Sequence, residues 1–235
     1  MKIEVCATSL ESIQNAQIAG ADRIELCSEL SHGGITPSYG FMKEAVQLSQ
    51  LPINCLIRCR SGNFVYTDAE FNIMMEDLRI AKQLGVAGVV IGFLTQKNEV
   101  NWEQLQKATA LADSLEITFH RAFDEIKDTT TALEKFKELG IDRILCSGKA
   151  EEAENGIMQL LDWKSKTLNA IEIQPGGGIT DLNCHLFKQK EFESLHLSAY
   201  KKAVPLADSA PGVWNQPKEV ADLEMLKKVL ASCKS

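Results

Sequence analysis

The sequence predicts a single-domain (β/α)8 TIM barrel. Three observations lead there: a recurring helix–glycine–strand unit, eight short apolar runs separated by helix-length segments, and strands whose two faces differ sharply in polarity. Three copies of the unit are plain. "IAGADRIELC" (18–27), "QLGVAGVVIG" (83–92) and "ELGIDRILCSG" (138–148) each end a helix, place a glycine, and begin an apolar run. Glycine suits the left-handed residue after a helix. The run after it is too short for a helix and rich in Ile, Val and Leu, as in a buried parallel strand.

Taken in order, the first strand is "IEVC" near 3–6. Thr8 with Glu11 then matches a capping box, opening a helix that Gly20 closes. The second strand covers 22–27. Pro37 after Thr36 marks the next helix start, and the third strand covers 53–58. Thr67 with Glu70 is a second capping box, and Gly85 ends its helix before the strand at 87–92. Asn101 before "WEQL" caps the following helix. Strands near 115–120, 142–147, 170–174 and 194–198 complete the set. A final helix is expected at 217–232, after a loop at 200–216 that carries two prolines and suits a lid or a subunit contact. Parallel neighbours need helical crossovers, and eight units in 235 residues fit a small closed barrel. The alternative is an open doubly wound sheet.

Composition narrows the function. The chain is 45% hydrophobic with a net charge of -7, which argues against disorder and against nucleic acid as a partner. No apolar run approaches the ~20 residues of a membrane span. The first residues carry no basic-then-apolar leader, and the 7 cysteines have no regular spacing. Free thiols in a reducing cytoplasm are the expectation.

Strand side chains alternate between faces. One face holds Ile3 and Val5, Ile24 and Leu26, Ile117 and Phe119, Leu195 and Leu197. The other holds Glu4 and Cys6, Arg23, Glu25 and Cys27, Arg58, His120, Glu172, and His196. The first face suits the helices and the second the barrel interior. Buried charges there require partners of opposite sign. A structural ion-pair network explains part of this pattern. Sites at the C-terminal mouth of the barrel explain the groups at strand ends.

Cys6 and Cys27 end neighbouring strands on one face, about 4.8 Å apart in strand spacing. Two thiolates favour a soft ion, Cu(I) or Zn(II), and without a four-ligand pattern Cu(I) fits better. His120 is the leading acid–base group, with Asp124 or a barrel glutamate to orient it, and His196 is a second proton carrier. Anion binding is expected from Arg60 and Arg121, from Ser147 and Gly148 in "CSGK", and from Gly176, Gly177 and Gly178 in "PGGGIT". Cys55 and Cys146 face the apolar side. Cys59 lies beside two arginines as a candidate reactive thiol, and Cys184 and Cys233 sit on helices.

Six ordered motifs carry a resemblance. "EVCATSLESIQNAQIAGADRIELCSELSHGGITPSYG", "LIRCRSGNFVYTDAEF", "TFHRAFD", "LCSG", "PGGGIT" and "HLSA" resemble the CutC copper-homeostasis family from about residue 2 to 200. The resemblance implies a cytoplasmic (β/α)8 barrel with Cu(I) at Cys6 and Cys27, and no organic cofactor. It also implies a polar mouth of Glu25, Arg58, His120, Arg121, Asp124 and His196. The chain departs from the family's "IRPRGGDF" with "IRCRSGNF", so Cys59, Ser61 and Asn63 are its own. The expected partners are a copper ion or a small anionic ligand, and a second copy of the chain in a homo-oligomer. The alternative function is an enzyme acting on a small anionic or phosphorylated metabolite. There Glu25, Arg58, His120, Asp124 and His196 would be catalytic, His120 moving the proton.

Overall fold

The computed structural model describes residues 1–202 and 219–234. The strands are β1 (Lys2–Ala7), β2 (Arg23–Leu26), β3 (Ile53–Leu56), β4 (Gly88–Ile91), β5 (Glu116–Phe119), β6 (Arg143–Cys146), β7 (Glu172–Pro175) and β8 (Ser194–Leu197). Between them run α1 (Leu10–Ala19), α2 (Tyr39–Leu48), α3 (Asp68–Leu84), α4 (Trp102–Ala112), α5 (Thr129–Glu138), α6 (Ile157–Thr167) and α7 (Cys184–Gln189). All eight strands are parallel, in the order β7-β6-β5-β4-β3-β2-β1-β8, and a bridge from Gly176 to His196 brings the two ends together. The fold is a (β/α)8 barrel.

The outer strand faces meet the helices, as the alternation requires. Ile3, Val5, Ile24 and Leu26 are fully buried against helix residues such as Ile13 and Ala16. On the far side, Phe119 packs 4.6 Å from Phe136, and Phe123 packs 4.8 Å from Trp163. Each such side chain contributes about 1.5–3 kcal/mol when withdrawn from water. Cys55 and Cys146 belong to this core.

Helix ends follow local chemistry. Gly20 and Gly85 both sit at φ 87, beyond the reach of an unstrained side chain, and donate to carbonyls of the last turns of α1 and α3. Thr67 and Glu70 form the expected capping box, and Asn101 caps α4. Replacing Thr67 by alanine should cost about 1 kcal/mol, read as a lower urea midpoint with unchanged slope. The cap of α1 is Ser9 and not Thr8. Thr8 Oγ1 instead donates to the Glu219 carbonyl at 3.2 Å, a partner 211 residues away.

The chain end differs from the reading of a helix over 217–232. Glu219–Ala221 forms strand β10, antiparallel to β9 (Tyr200–Lys202), and helix α8 spans Leu223–Lys234. The Asp222 carboxylate accepts the Met225 amide at 2.9 Å, which sets the later start. The 200–216 loop lies outside the described residues except for Tyr200–Lys202.

Candidate functional site

Register builds the barrel interior. Glu4 lies opposite Arg23 on one side and His196 on the other, and Cys6 lies opposite Glu25. Glu4, 1% exposed, accepts from Arg23 Nε and is bonded to His196 Nδ1 at 2.8 Å. Gln174 closes the network when its amide nitrogen faces Glu4 Oε1 at 3.2 Å and its oxygen takes Arg23 Nη2 at 2.9 Å. Burial raises the Glu4 pKa, but the His196 hydrogen bond and the charges of Arg23, His196 and Arg143 outweigh it. The carboxyl is held below the usual carboxylate range. Nearer the base, Arg143 pairs with Glu172 at 3.1 Å and Glu116 at 3.3 Å.

Above this layer the two thiols meet. Cys6 Sγ and Cys27 Sγ are 3.3 Å apart and fully buried, packed with Leu56 and Val90. The hydrogen bond shared with Cys27, then burial, then neighbouring negative charge push the Cys6 thiol well up. One ligand atom each from Cys6, Glu25 and His196 lie within 4.8 Å of one another. Burial raises Glu25, with the Glu4 charge adding to the shift and His196 opposing it. For His196, burial is outweighed by Glu25 and Glu4, so its pKa is raised. His196 Nε2 lies 3.6 Å from the Glu25 carboxylate.

These groups open into a cavity of about 500 Å³ at the C-terminal mouth. Cys6, Glu25, Arg58, His120, Arg121, His196 and the loop from Gly176 to Gly178 all line it. The remaining site residues of the sequence reading are placed elsewhere. Arg60 turns away, bonded to Glu70 and to the Val65 carbonyl at 2.8 Å, and lines a separate cleft with Asn63 and Gln96. Cys59 is half-buried against the core, its thiol raised by burial.

Asp124 does not touch His120. It accepts the Ser147 and Lys149 amides at 3.0 and 2.9 Å and pairs with Arg121 Nε at 3.2 Å. The small-residue turn at Ser147 and Gly148 therefore already holds an anion, the protein's own carboxylate. Arg58 spends Nη1 on the Gly33 and Gly34 carbonyls, 3.1 and 2.7 Å, and Nη2 on the Gly62 carbonyl, 2.7 Å. It thus ties the loops after β2 and β3 together. His120, buried, is pushed down to about 3 by burial and then by the Arg58 charge. A pKa lowered in this way favours the neutral ring at neutral pH.

Three cavity residues carried no signal in the sequence. Phe64 stacks on Arg58, 5.1 Å from its guanidinium carbon, and packs 4.8 Å from the His120 ring. Tyr200 donates its hydroxyl to Thr8 Oγ1 at 3.2 Å, and Met225 reaches the cavity from α8. Helix α8 follows the eighth strand, so only packing brings Met225 to the mouth.

The CutC family model matches residues 1–201. A family protein CutC from Pasteurella multocida is 43% identical over 199 residues, covering 84% of this chain and 82% of its own length. The human copper homeostasis protein cutC homolog is 43% identical over 181 residues, covering 77% of this chain and 66% of its own. A crystal structure of a candidate copper homeostasis protein CutC from Streptococcus agalactiae superposes with TM-score 0.80 at 34% identity, covering 83% of this chain and 97% of that one. The matched span runs through all eight barrel strands and every motif at the mouth, and on that ground this chain belongs to the CutC family.

Proposed function

We propose that this chain binds Cu(I) in the cytoplasm as part of copper homeostasis, with Cys6 and Cys27 as the ligands. The observation that carries the reading is the 3.3 Å separation of two buried sulfurs at the ends of neighbouring strands. That distance is shorter than two metal–thiolate bonds laid end to end, each about 2.3 Å for zinc. Soft sulfur donors in an apolar pocket suit Cu(I) better than hard cations. Cys6 lines the cavity, which provides the entry path, and Cys27 lies behind it against the loop at Gly34. Glu25 and His196 stand close enough to Cys6 to add an outer donor or to orient it. Thiol protons leave as the metal binds, so affinity should rise with pH.

The cytoplasmic assignment draws on the 7 free cysteines, which persist as thiols in a reducing compartment. No helix among the described residues is long and apolar enough to cross a membrane.

Anaerobic Cu(I) titration against a competing chelator tests the site. Wild type should take up one equivalent. Cys6→Ser and Cys27→Ser should each weaken binding by more than about 100-fold, beyond the 10–100-fold typical of outer-shell changes. Cys59→Ser should leave it unchanged. Wild-type affinity in the Cys6→Ser/Cys27→Ser double variant would reject the reading.

A further inference from the structure

The wall of the cavity contains a set of groups that a thiol-bound ion leaves without a purpose. His120 follows β5 and is 5% exposed. Its Nδ1 accepts the Ala122 amide hydrogen at 3.2 Å. A ring nitrogen that accepts carries no proton, so the neutral ring is protonated at Nε2. That Nε2–H donor is buried and has no partner among the described residues. Buried donors are almost always paired, and an orphan at a cavity wall points to a partner that arrives from outside. The ring is also held in place. A β-carbon at Gly92 would stand 2.6 Å from Nδ1 and 3.0 Å from Nε2, so glycine is what lets the imidazole lie there.

Charge points the same way. Arg58 is 5% exposed, and its guanidinium meets carbonyl oxygens, the Phe64 ring and the Tyr66 side chain, with no carboxylate partner among the described residues. A buried cation without a counter-ion is costly. Arg121 adds a second cation, fixed in orientation by Nε on Asp124 and by Nη2 on Ser147 Oγ at 2.7 Å. Its Nη1 makes no hydrogen bond among the described residues. It lies against Gly177, where a β-carbon would stand 3.2 Å away and where φ is 111.

We infer that the cavity binds a small organic or inorganic oxyanion, a carboxylate or a phosphate, with one oxygen accepting from His120 Nε2–H. Arg58 and Arg121 Nη1 supply the opposing charge. Phe64, which packs on both Arg58 and His120, is the side chain that yields as the ligand enters. The inference stands independently of copper, since none of its residues is a proposed metal ligand.

Inorganic phosphate and acetate serve as the two probes, each added at constant ionic strength with chloride as the balancing ion. The readouts are the His120 ring nitrogen resonances and the melting temperature of the wild-type chain. The site predicts that at least one probe shifts the His120 Nε2 signal and raises the melting temperature, both saturably. Saturation by phosphate alone assigns the phosphate class, and by acetate alone the carboxylate class. Arg121→Gln should weaken the apparent affinity at least tenfold, while Lys107→Gln, on the exposed face of α4, should not change it. A His120 signal indifferent to both probes, or one that drifts without saturation equally in wild type and Arg121→Gln, would overturn the inference. The wild-type spectrum decides even if the Arg121 variant fails to fold.

Discussion

Replacing Glu4 by alanine should lower the unfolding free energy by about 3–5 kcal/mol, the usual cost of leaving a buried charge without its partner. Arg23, 5% exposed, would lose the carboxylate it donates to, and His196 would lose its 2.8 Å contact. The measurement is urea unfolding near neutral pH, with stability taken from the midpoint at constant slope. The Glu4→Leu/Arg23→Met double variant should recover much of the loss, because removing both charges removes the orphan. Additive losses in the two single variants would mean that the pair does not act as a unit. The same carboxyl contributes to acid sensitivity. Its folded pKa lies below the ordinary 4.5, so its stabilisation is present above that value and is lost as the pH falls below it.

The second large effect comes from His120. Its pKa falls from 6.5 to about 3 in the fold, so on acidification the unfolded chain takes up this proton first. Its contribution is complete above pH 6.5 and drains away toward pH 3, at about 1.4 kcal/mol per pH unit. Between pH 6.5 and 4.5 the loss should reach about 2–3 kcal/mol. Two neighbours titrate with the opposite sign. Glu25 is raised, so its contribution is present below 4.5 and lost as the pH rises through its folded value. His196 is also raised, and its contribution is present below 6.5 and lost above it. The clean measurement is therefore the difference between wild type and His120→Asn at each pH. That difference should shrink steadily as the pH falls from 6.5 to 4.5. A difference independent of pH would show that the ring is not held neutral by its surroundings.

Much of the site was legible because strand alternation is a local property. The spacing in "IEVC" and "IELC" is enough to put Cys6 and Cys27 on one face, and the direct parallel pairing of β1 with β2 then makes them neighbours. The same rule brought Glu25, Arg58, His120 and His196 to one cavity. Pairing was not legible. Asp124 looked like a partner for His120 four residues away, yet its carboxylate binds amides at Ser147 and Lys149. Arg60 and Arg58 lie two residues apart in one motif, but Glu70 draws the first away while the Gly33, Gly34 and Gly62 carbonyls hold the second. Thr8 resembled a helix cap until Glu219 claimed its hydroxyl.

By itself, the amino-acid order determined that the chain alternates strand and helix, which face of each strand is polar, and which side chains end up at the rim. Those properties depend on residues within a few positions of one another. Only the tertiary structure decided that burial and the Arg58 charge push the His120 pKa down, that Arg58 meets no carboxylate among the described residues, and that the two thiols sit 3.3 Å apart. A proton's place and a charge's partner depend on which distant groups share one small, poorly solvated volume, and chain closure alone sets that.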